Sequence, residues 1–237
     1  MDLEQLKKAS YVPYSGESNF GVVKSIEGNY FPGVRIENAS FPLTINAAQN
    51  ALFTCISEGN RPKAIYVQNT GANDLEFWRK EYNVWVYPLD DLQMNTFMKI
   101  VRNLENQSIR ASLKNLLRNA VTINSDFPVS ALLKTNRGFV SGVNIECSEW
   151  SLGLCAERVA IGKAISYGFT DFESLYIHTR DGEYSSPCGA CRQVIFEHLS
   201  KSPVYLYHSD GTQSMHYSAD LLPYSFHSSS LSGNTSK

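Results

Sequence analysis

Apolar side chains never run far enough in this 237-residue sequence, about 18–20 in a row, to cross a bilayer, so no membrane partner is expected. The opening residues, MDLEQLKKAS, hold no apolar stretch of the kind a secretory leader carries. Excess charge is missing as well. The 21 Lys and Arg against 23 Asp and Glu leave a net −2, and no basic run or stripe stands out. Without that electrostatic footprint a nucleic-acid partner is not expected. Cysteine is scarce and odd in number, five in all. Three of the five stand in a metal-like arrangement, which fits a reducing compartment better than a disulfide framework, and cytoplasmic localisation is expected.

What is present suffices for a folded core: 43% hydrophobic and 19% charged residues argue against general disorder. The main organisational feature is an internal repeat. Residues 33–59, GVRIENASFPLTINAAQNALFTCISEG, match residues 142–168, GVNIECSEWSLGLCAERVAIGKAISYG, at ten of 27 positions without a gap. Upstream, Phe20 and Phe127 each open a strand-like segment. Downstream, AIYVQ (64–68) parallels SLYIH (174–178), and VWVY (84–87) parallels VYLY (204–207). Two tandem copies of one fold follow, 1–100 and 101–226, divided in a polar stretch around ENQS (105–108). Strand-rich segments such as VSALLKT (129–135) alternate with helix-like runs, which predicts α/β layers. The small, polar residues 227–237 are expected to be a disordered tail.

The copies diverge where chemistry would sit. Cys155-Ala156-Glu157-Arg158 of the second becomes Asn46-Ala47-Ala48-Gln49 in the first, which also has no C-x-x-C. In the second copy Cys188-Gly189-Ala190-Cys191 follows Pro187, and proline at a first helical position is preorganised for the helix. Cys188 and Cys191 then share one face of a first turn, with Val194, Ile195, Phe196 and Leu199 on an apolar side. Cys155 opens a second helix-like run, with Ala156, Val159, Ala160 and Ala164 as its buried stripe and Gly168 as its stop. Thiols at helix N-termini face the positive end of the dipole, which favours the thiolate that zinc requires. Three protein ligands leave a fourth tetrahedral position for water, the arrangement of a catalytic zinc. Alone, the C-x-x-C fits a structural zinc half-site or a redox pair equally well, and Cys155 fits a core filler. Together, Cys-x-Glu at a helix start and Pro-Cys-x-x-Cys about thirty residues later make the Cys₃ signature of zinc nucleobase deaminases.

On these residues the second copy resembles the cytidine deaminase family over roughly 110–226. FPVSALL (127–133), GVNIE (142–146), CAER (155–158), SPCGACRQ (186–193) and DLLPYSF (220–226) carry the likeness. The first copy is similar through PYS (13–15), GVRIENASF (33–41) and SEG (57–59). The resemblance implies a three-layer α/β/α sandwich with a mixed five-stranded sheet. It implies one zinc per chain on Cys155, Cys188 and Cys191, with Glu157 as proton shuttle beside it. Arg158 matches an arginine that hydrogen-bonds the thiolates, offsetting their excess negative charge. Asn144 and Glu146 match ribose-binding residues, although Asn and Glu at alternate strand positions otherwise read as a solvated face. Phe127 matches an aromatic against the base, the Ala156 amide a donor to its O2, and Phe226 an aromatic that reaches a neighbouring subunit's pocket. The sequence departs from the family at Asn124, where the family has the PYS tyrosine that the first copy keeps as Tyr14. It departs also in order, since large bacterial members carry the active copy first.

The expected activity is hydrolytic deamination of cytidine and deoxycytidine in pyrimidine salvage, by a homodimer that mimics a tetramer of single-domain members. Deamination of a modified nucleoside such as blasticidin S, or of cytosine in RNA, is the alternative within the same chemistry. A non-catalytic zinc scaffold is the alternative of another class.

Overall fold

The repeat becomes two sheets of matching strand order in a computed structural model that describes residues 3–72, 74–104, 108–226 and 231. The N-terminal half supplies α1 (Leu3–Lys8), β1 (Phe20–Ser25), β2 (Tyr30–Val34), α2 (Ala47–Ser57), β3 (Pro62–Val67), α3 (Leu75–Glu81) and β4 (Trp85–Pro88). The C-terminal half supplies α4 (Ile109–Leu116), β5 (Val129–Thr135), β6 (Gly138–Val143), α5 (Ala156–Ser166), β7 (Phe172–Thr179), α6 (Gly189–His198), β8 (Val204–Tyr207), β9 (Gln213–His216) and α7 (Ser218–Leu221). The sheets run β2-β1-β3-β4 and β6-β5-β7-β8-β9. In each, a hairpin pairs antiparallel to the third strand, which pairs parallel to the fourth. The five-stranded mixed sheet belongs to the C-terminal half; its counterpart ends at β4 with no strand like β9 beside it among the described residues.

Register corrects two of the sequence matches. Phe20 faces Val34 as Ser130 faces Val143, so Phe20 corresponds to Ser130, and Phe127 precedes β5. One residue of this three-residue slip comes from the second hairpin, which is one residue shorter between Lys134 and Phe139 than the first between Lys24 and Tyr30. Tyr66 pairs with Tyr87 as Tyr176 pairs with Tyr205, which moves VWVY two residues against VYLY. A shift of two keeps every side chain on its face.

The helices cover both faces of the second sheet. Ser130 donates to Leu113 O of α4 (2.8 Å), while the neighbouring Ala131 pairs with Gly142, which faces α5. Successive strand residues point to opposite faces, so α4 and α5 sandwich the sheet. Gly142 is required by close approach: a Cβ there would lie 2.2 Å from Ala156 O and 2.6 Å from Ala160 N. Gly33 makes the same approach to Ala47 O (2.4 Å) and Ala51 N (2.2 Å) of α2. Both helices end in a Schellman turn. Gly168 N and Phe169 N bond Ile165 O and Ala164 O, as Gly59 N and Asn60 N bond Ile56 O and Cys55 O.

The periodicity predicts an apolar stripe on α5, but every residue of that helix except Arg158 is buried. The reason is α2, which packs against it from the other half. The contact is reciprocal. Arg158 donates to Leu43 O (2.9 Å) and Gln49 donates to Leu152 O (2.7 Å); Ala39 N donates to Glu197 (2.9 Å) and Ser148 N to Glu81 (2.8 Å). Equivalent residues exchange equivalent bonds, the mark of an isologous contact, so the halves pack about a pseudo-two-fold axis. One continuous core runs from Leu6 to Leu221 through both.

The stretch leading into the expected polar boundary is anchored at three apolar residues. Phe97, Ile100 and Leu104 enter the core, and Arg102 bridges to Phe139 of β6. Residues 105–107, and the tail 227–237 apart from Leu231, lie outside the described residues. Among the described residues no helix is long and apolar enough to cross a membrane.

Candidate active site

Cys155 and Cys188 stand at equivalent points of their helices. Each is the N-cap, extended at φ −69°, ψ 158° and φ −68°, ψ 169°, and neither side chain caps its own helix. Pro187 therefore precedes the cap rather than opening the helix, because Cys188 takes the cap position itself. Cys191 lies in the first turn of α6 and is fully buried. The N-terminal half shows what the position does without chemistry. Asn46 is the N-cap of α2 in the same extended conformation, and its side chain accepts from Gln49 N at 2.7 Å. A strong capping residue stands there in place of the thiol.

The three sulfurs lie within 4.8 Å of one another, with Cys155 and Cys188 Sγ 3.6 Å apart. Tetrahedral zinc with bonds of about 2.3 Å separates its sulfurs by about 3.8 Å, so the trio fits one ion. The thiols titrate as a unit. Hydrogen bonds from Cys155 and then Cys191 pull Cys188 far down, while Cys155 and Cys191 are pushed up. The downward direction at Cys188 favours the thiolate, the form in which a thiol binds a cation. Two polar atoms beside the cysteines in sequence, Glu157 Oε2 and Arg158 Nε, are buried with no protein partner, which also suits a site built around a further group.

Glu157 is 3% exposed, and burial pushes its carboxyl up to about 7, with the Cys188 sulfur adding to the rise. Arg158 departs from what the resemblance implies. Its guanidinium donates to Leu43 O in the other half rather than to the thiolates, because the pseudo-two-fold places that carbonyl against the start of α5, as it places Leu152 O against Gln49.

Cys155, Cys188 and Glu157 open into a cavity of about 460 Å³ that is also lined by Phe127, Asn144 and Glu146. Glu146 accepts from Asn124 N (2.7 Å), Ser125 N (3.1 Å) and, by a short bond, Ser125 Oγ. Glu37 repeats this with Tyr14 N, Ser15 N and Ser15 Oγ, and Arg35, in the place of Asn144, closes on it at 3.1 Å. Asn144 accepts from Val129 N (2.7 Å) and donates to Phe127 O (3.0 Å), bracing the loop before β5. Asp126 in that loop is left-handed at φ 49°, where the first half has Gly16 at φ 73°, and Arg180 binds its carboxylate at 3.2 Å.

Ala156 is the first residue of α5, where a helix leaves its N–H without an intrahelical acceptor. Phe226 does not line the cavity. It is 49% exposed, and its carbonyl accepts from Gln193 of α6. Sequence reasoning missed Trp150, Ile177, Thr179 and Ser186 on the cavity wall. Trp150 is 65% exposed, and the available signal was its place opposite Phe41 in the repeat, another aromatic left 84% exposed.

Residues 104–207 match the family model described as the cytidine and deoxycytidylate deaminase zinc-binding region. A cytidine deaminase of Sporosarcina psychrophila is 40% identical over 128 residues, which cover 53% of this chain and 94% of that protein. A blasticidin-S deaminase of Bacillus cereus is 35% identical over 79 residues, 30% of this chain and 56% of that protein. Among solved structures, a cytidine deaminase from Burkholderia pseudomallei is 31% identical at a TM-score of 0.48, over 51% of this chain and 100% of that one. With its three converging sulfurs, its buried acid and a near full-length match to such a relative, the chain belongs to the cytidine deaminase family.

Proposed function

We propose that this chain hydrolyses cytidine and deoxycytidine to the corresponding uridines, releasing ammonia, with residues 101–226 as the catalytic unit and 1–100 as its degenerate copy. The observation that carries the reading is the meeting, in one cavity, of the cysteine trio, the buried Glu157, and the Asn144–Glu146 pair. Zinc held by Cys155, Cys188 and Cys191 supplies Lewis-acid activation of water when bound. Glu157 moves the protons. An acid poised near neutrality can accept one from the incoming water, deliver it to N3 of the base, and pass another to the amino group leaving C4. Water and cytidine go in; uridine and ammonia come out.

The sugar contacts follow from spare hydrogen-bonding capacity. Glu146 uses three of its about four acceptor sites on its own loop, and Asn144 uses one of its two N–H donors, which leaves an acceptor and a donor side by side for ribose hydroxyls. The Phe127 ring packs on the base, and the Ala156 N–H meets its O2. The reading includes a homodimer, which the exposure of Trp150 at the cavity edge and of Phe226 beside α6 supports as surfaces for a second chain. The five free thiols accord with a reducing cytoplasm.

A modified nucleoside is the second reading, favoured by the blasticidin-S deaminase likeness and opposed by the ribose-suited Asn144 and Glu146. Incubating the zinc-loaded chain with cytidine tests the proposal: the ultraviolet spectrum shifts to that of uridine with stoichiometric ammonia. An unchanged spectrum with cytidine and turnover of blasticidin S would establish the second reading; turnover of neither would leave a zinc scaffold.

A further inference from the structure

Glu197, in the last turn of α6, takes three hydrogen bonds, and every donor belongs to the N-terminal half. Tyr14 Oη (2.8 Å) and Tyr11 Oη (3.0 Å) donate to Oε1, and Ala39 N–H (2.9 Å) donates to Oε2. Burial and the facing carboxylate both raise the Tyr11 phenol, which holds it as a donor. α6 is the helix whose start carries Cys188 and Cys191.

The pseudo-two-fold supplies an internal control. Ser148 stands where Ala39 does, and its N–H donates to Glu81 at the end of α3 (2.8 Å), with Ser148 Oγ adding a bond of 2.5 Å. The backbone part of the clasp is common to both sides; the phenols are not. Val121 occupies the bridge position of Tyr11, and Asn124 that of Tyr14, with its Nδ2 turned to Cys147 O in its own half (3.1 Å). The half stripped of ligands keeps two phenols on the helix that bears two of them. The ligand-bearing half keeps no phenol at these positions for α3, which bears none.

From this asymmetry we infer that Tyr11 and Tyr14 of the N-terminal half are positioning residues for the metal centre, fixing the far end of α6 through Glu197 and so setting Cys188 and Cys191 against Cys155. The stripped copy persists because it holds the working copy's ligand helix in place. The inference rests on the metal-binding part of the function proposed above and not on the substrate.

The test compares full-length Tyr11→Phe/Tyr14→Phe with the parent and with Glu81→Gln, the matched loss on the other side of the axis. Zinc affinity is read by chelator competition, the visible bands of the cobalt(II)-substituted chain report ligand geometry, and melting temperature reports stability. Both variants lose contacts between halves, so both melt earlier. Only the tyrosine variant weakens zinc, by about tenfold, the low end of what loss of an outer-shell partner costs. Its cobalt bands shift and its kcat falls with KM little changed. Equal zinc affinity in the two variants overturns the inference. Should the double variant fail to fold, Tyr14→Phe alone keeps the Tyr11 and Ala39 bonds and is read the same way, with a weakening smaller than the double variant's expected and unchanged affinity overturning the inference. Weakened zinc in a chain whose parent never deaminates cytidine would uphold the clasp and sink the substrate, so the two readings fail separately.

Discussion

Glu58→Gln is the substitution whose cost follows most directly from the packing between the halves. Glu58 caps the C-terminus of α2 and reaches into the other half, where Lys163 Nζ of α5 lies 2.5 Å from Oε1 and the Lys163 side chain is wholly buried. Arg102 Nη2 holds Oε2 at 2.6 Å, and Ser141 Oγ donates to Oε1 at 3.0 Å. Burial alone would raise the Glu58 carboxyl, but Lys163 and then Arg102 outweigh it and leave the group below the ordinary carboxylate range. A neutral amide in place of the Glu58 carboxylate can still accept from Lys163, but it leaves that buried ammonium without a counter-charge and beside the Arg102 cation. Removing one partner of a buried pair costs about 3–5 kcal/mol, against a total stability of about 5–15 kcal/mol. With a urea slope of about 2 kcal/mol/M the midpoint falls by about 2 M at pH 7. Lys163→Met should cost less, because Glu58 keeps Arg102 and Ser141. The sign with pH is fixed by the lowered carboxyl: its contribution is present above the unfolded value of 4.5 and is lost as pH falls below it. A midpoint shift under about 0.5 M, or a Lys163→Met variant less stable than Glu58→Gln, would refute the reasoning.

Glu157→Gln keeps the three sulfurs and should retain zinc while losing about 10²–10⁴-fold in kcat, read by the ultraviolet change with cytidine; a near-normal rate removes Glu157 from the proton path. His198 packs edge-on to Tyr11 with part of the residue at the surface, but its Nε2 is buried without a partner, and burial lowers its pKa from 6.5 to about 4. The unfolded chain binds that proton first, so stability is full above pH 6.5 and declines towards pH 4, by at most about 3 kcal/mol. Urea curves of His198→Gln over this window should decline less than the parent's, and parallel curves would contradict the assignment.

Much of the fold was legible because the repeat preserves the residues that force it. Gly33 and Gly142 admit their helices to the sheets, and Gly59 and Gly168 end those helices at φ 75°. The cysteine trio was legible because helix starts are written in local sequence, and the fold brings the starts of α5 and α6 together. What escaped was set by the meeting of the halves. No periodicity within α5 reports that α2 buries its outer side, or that Leu43 O takes the Arg158 guanidinium. The Phe20–Phe127 match failed by three residues, because both halves place a phenylalanine near the start of the strand and composition does not report register. Trp150 escaped because an exposed aromatic is ordinary in a sequence and gains meaning only as part of a cavity wall. The clasp on Glu197 joins residues 186 apart, beyond any local pattern.

Metal analysis of the purified chain tests the account most directly. One zinc per chain is predicted, absent from Cys188→Ala and unaffected by Asn46→Ser in the stripped half. A chain that carries two zincs, or that keeps its full complement after Cys188→Ala, would contradict a single centre built from Cys155, Cys188 and Cys191.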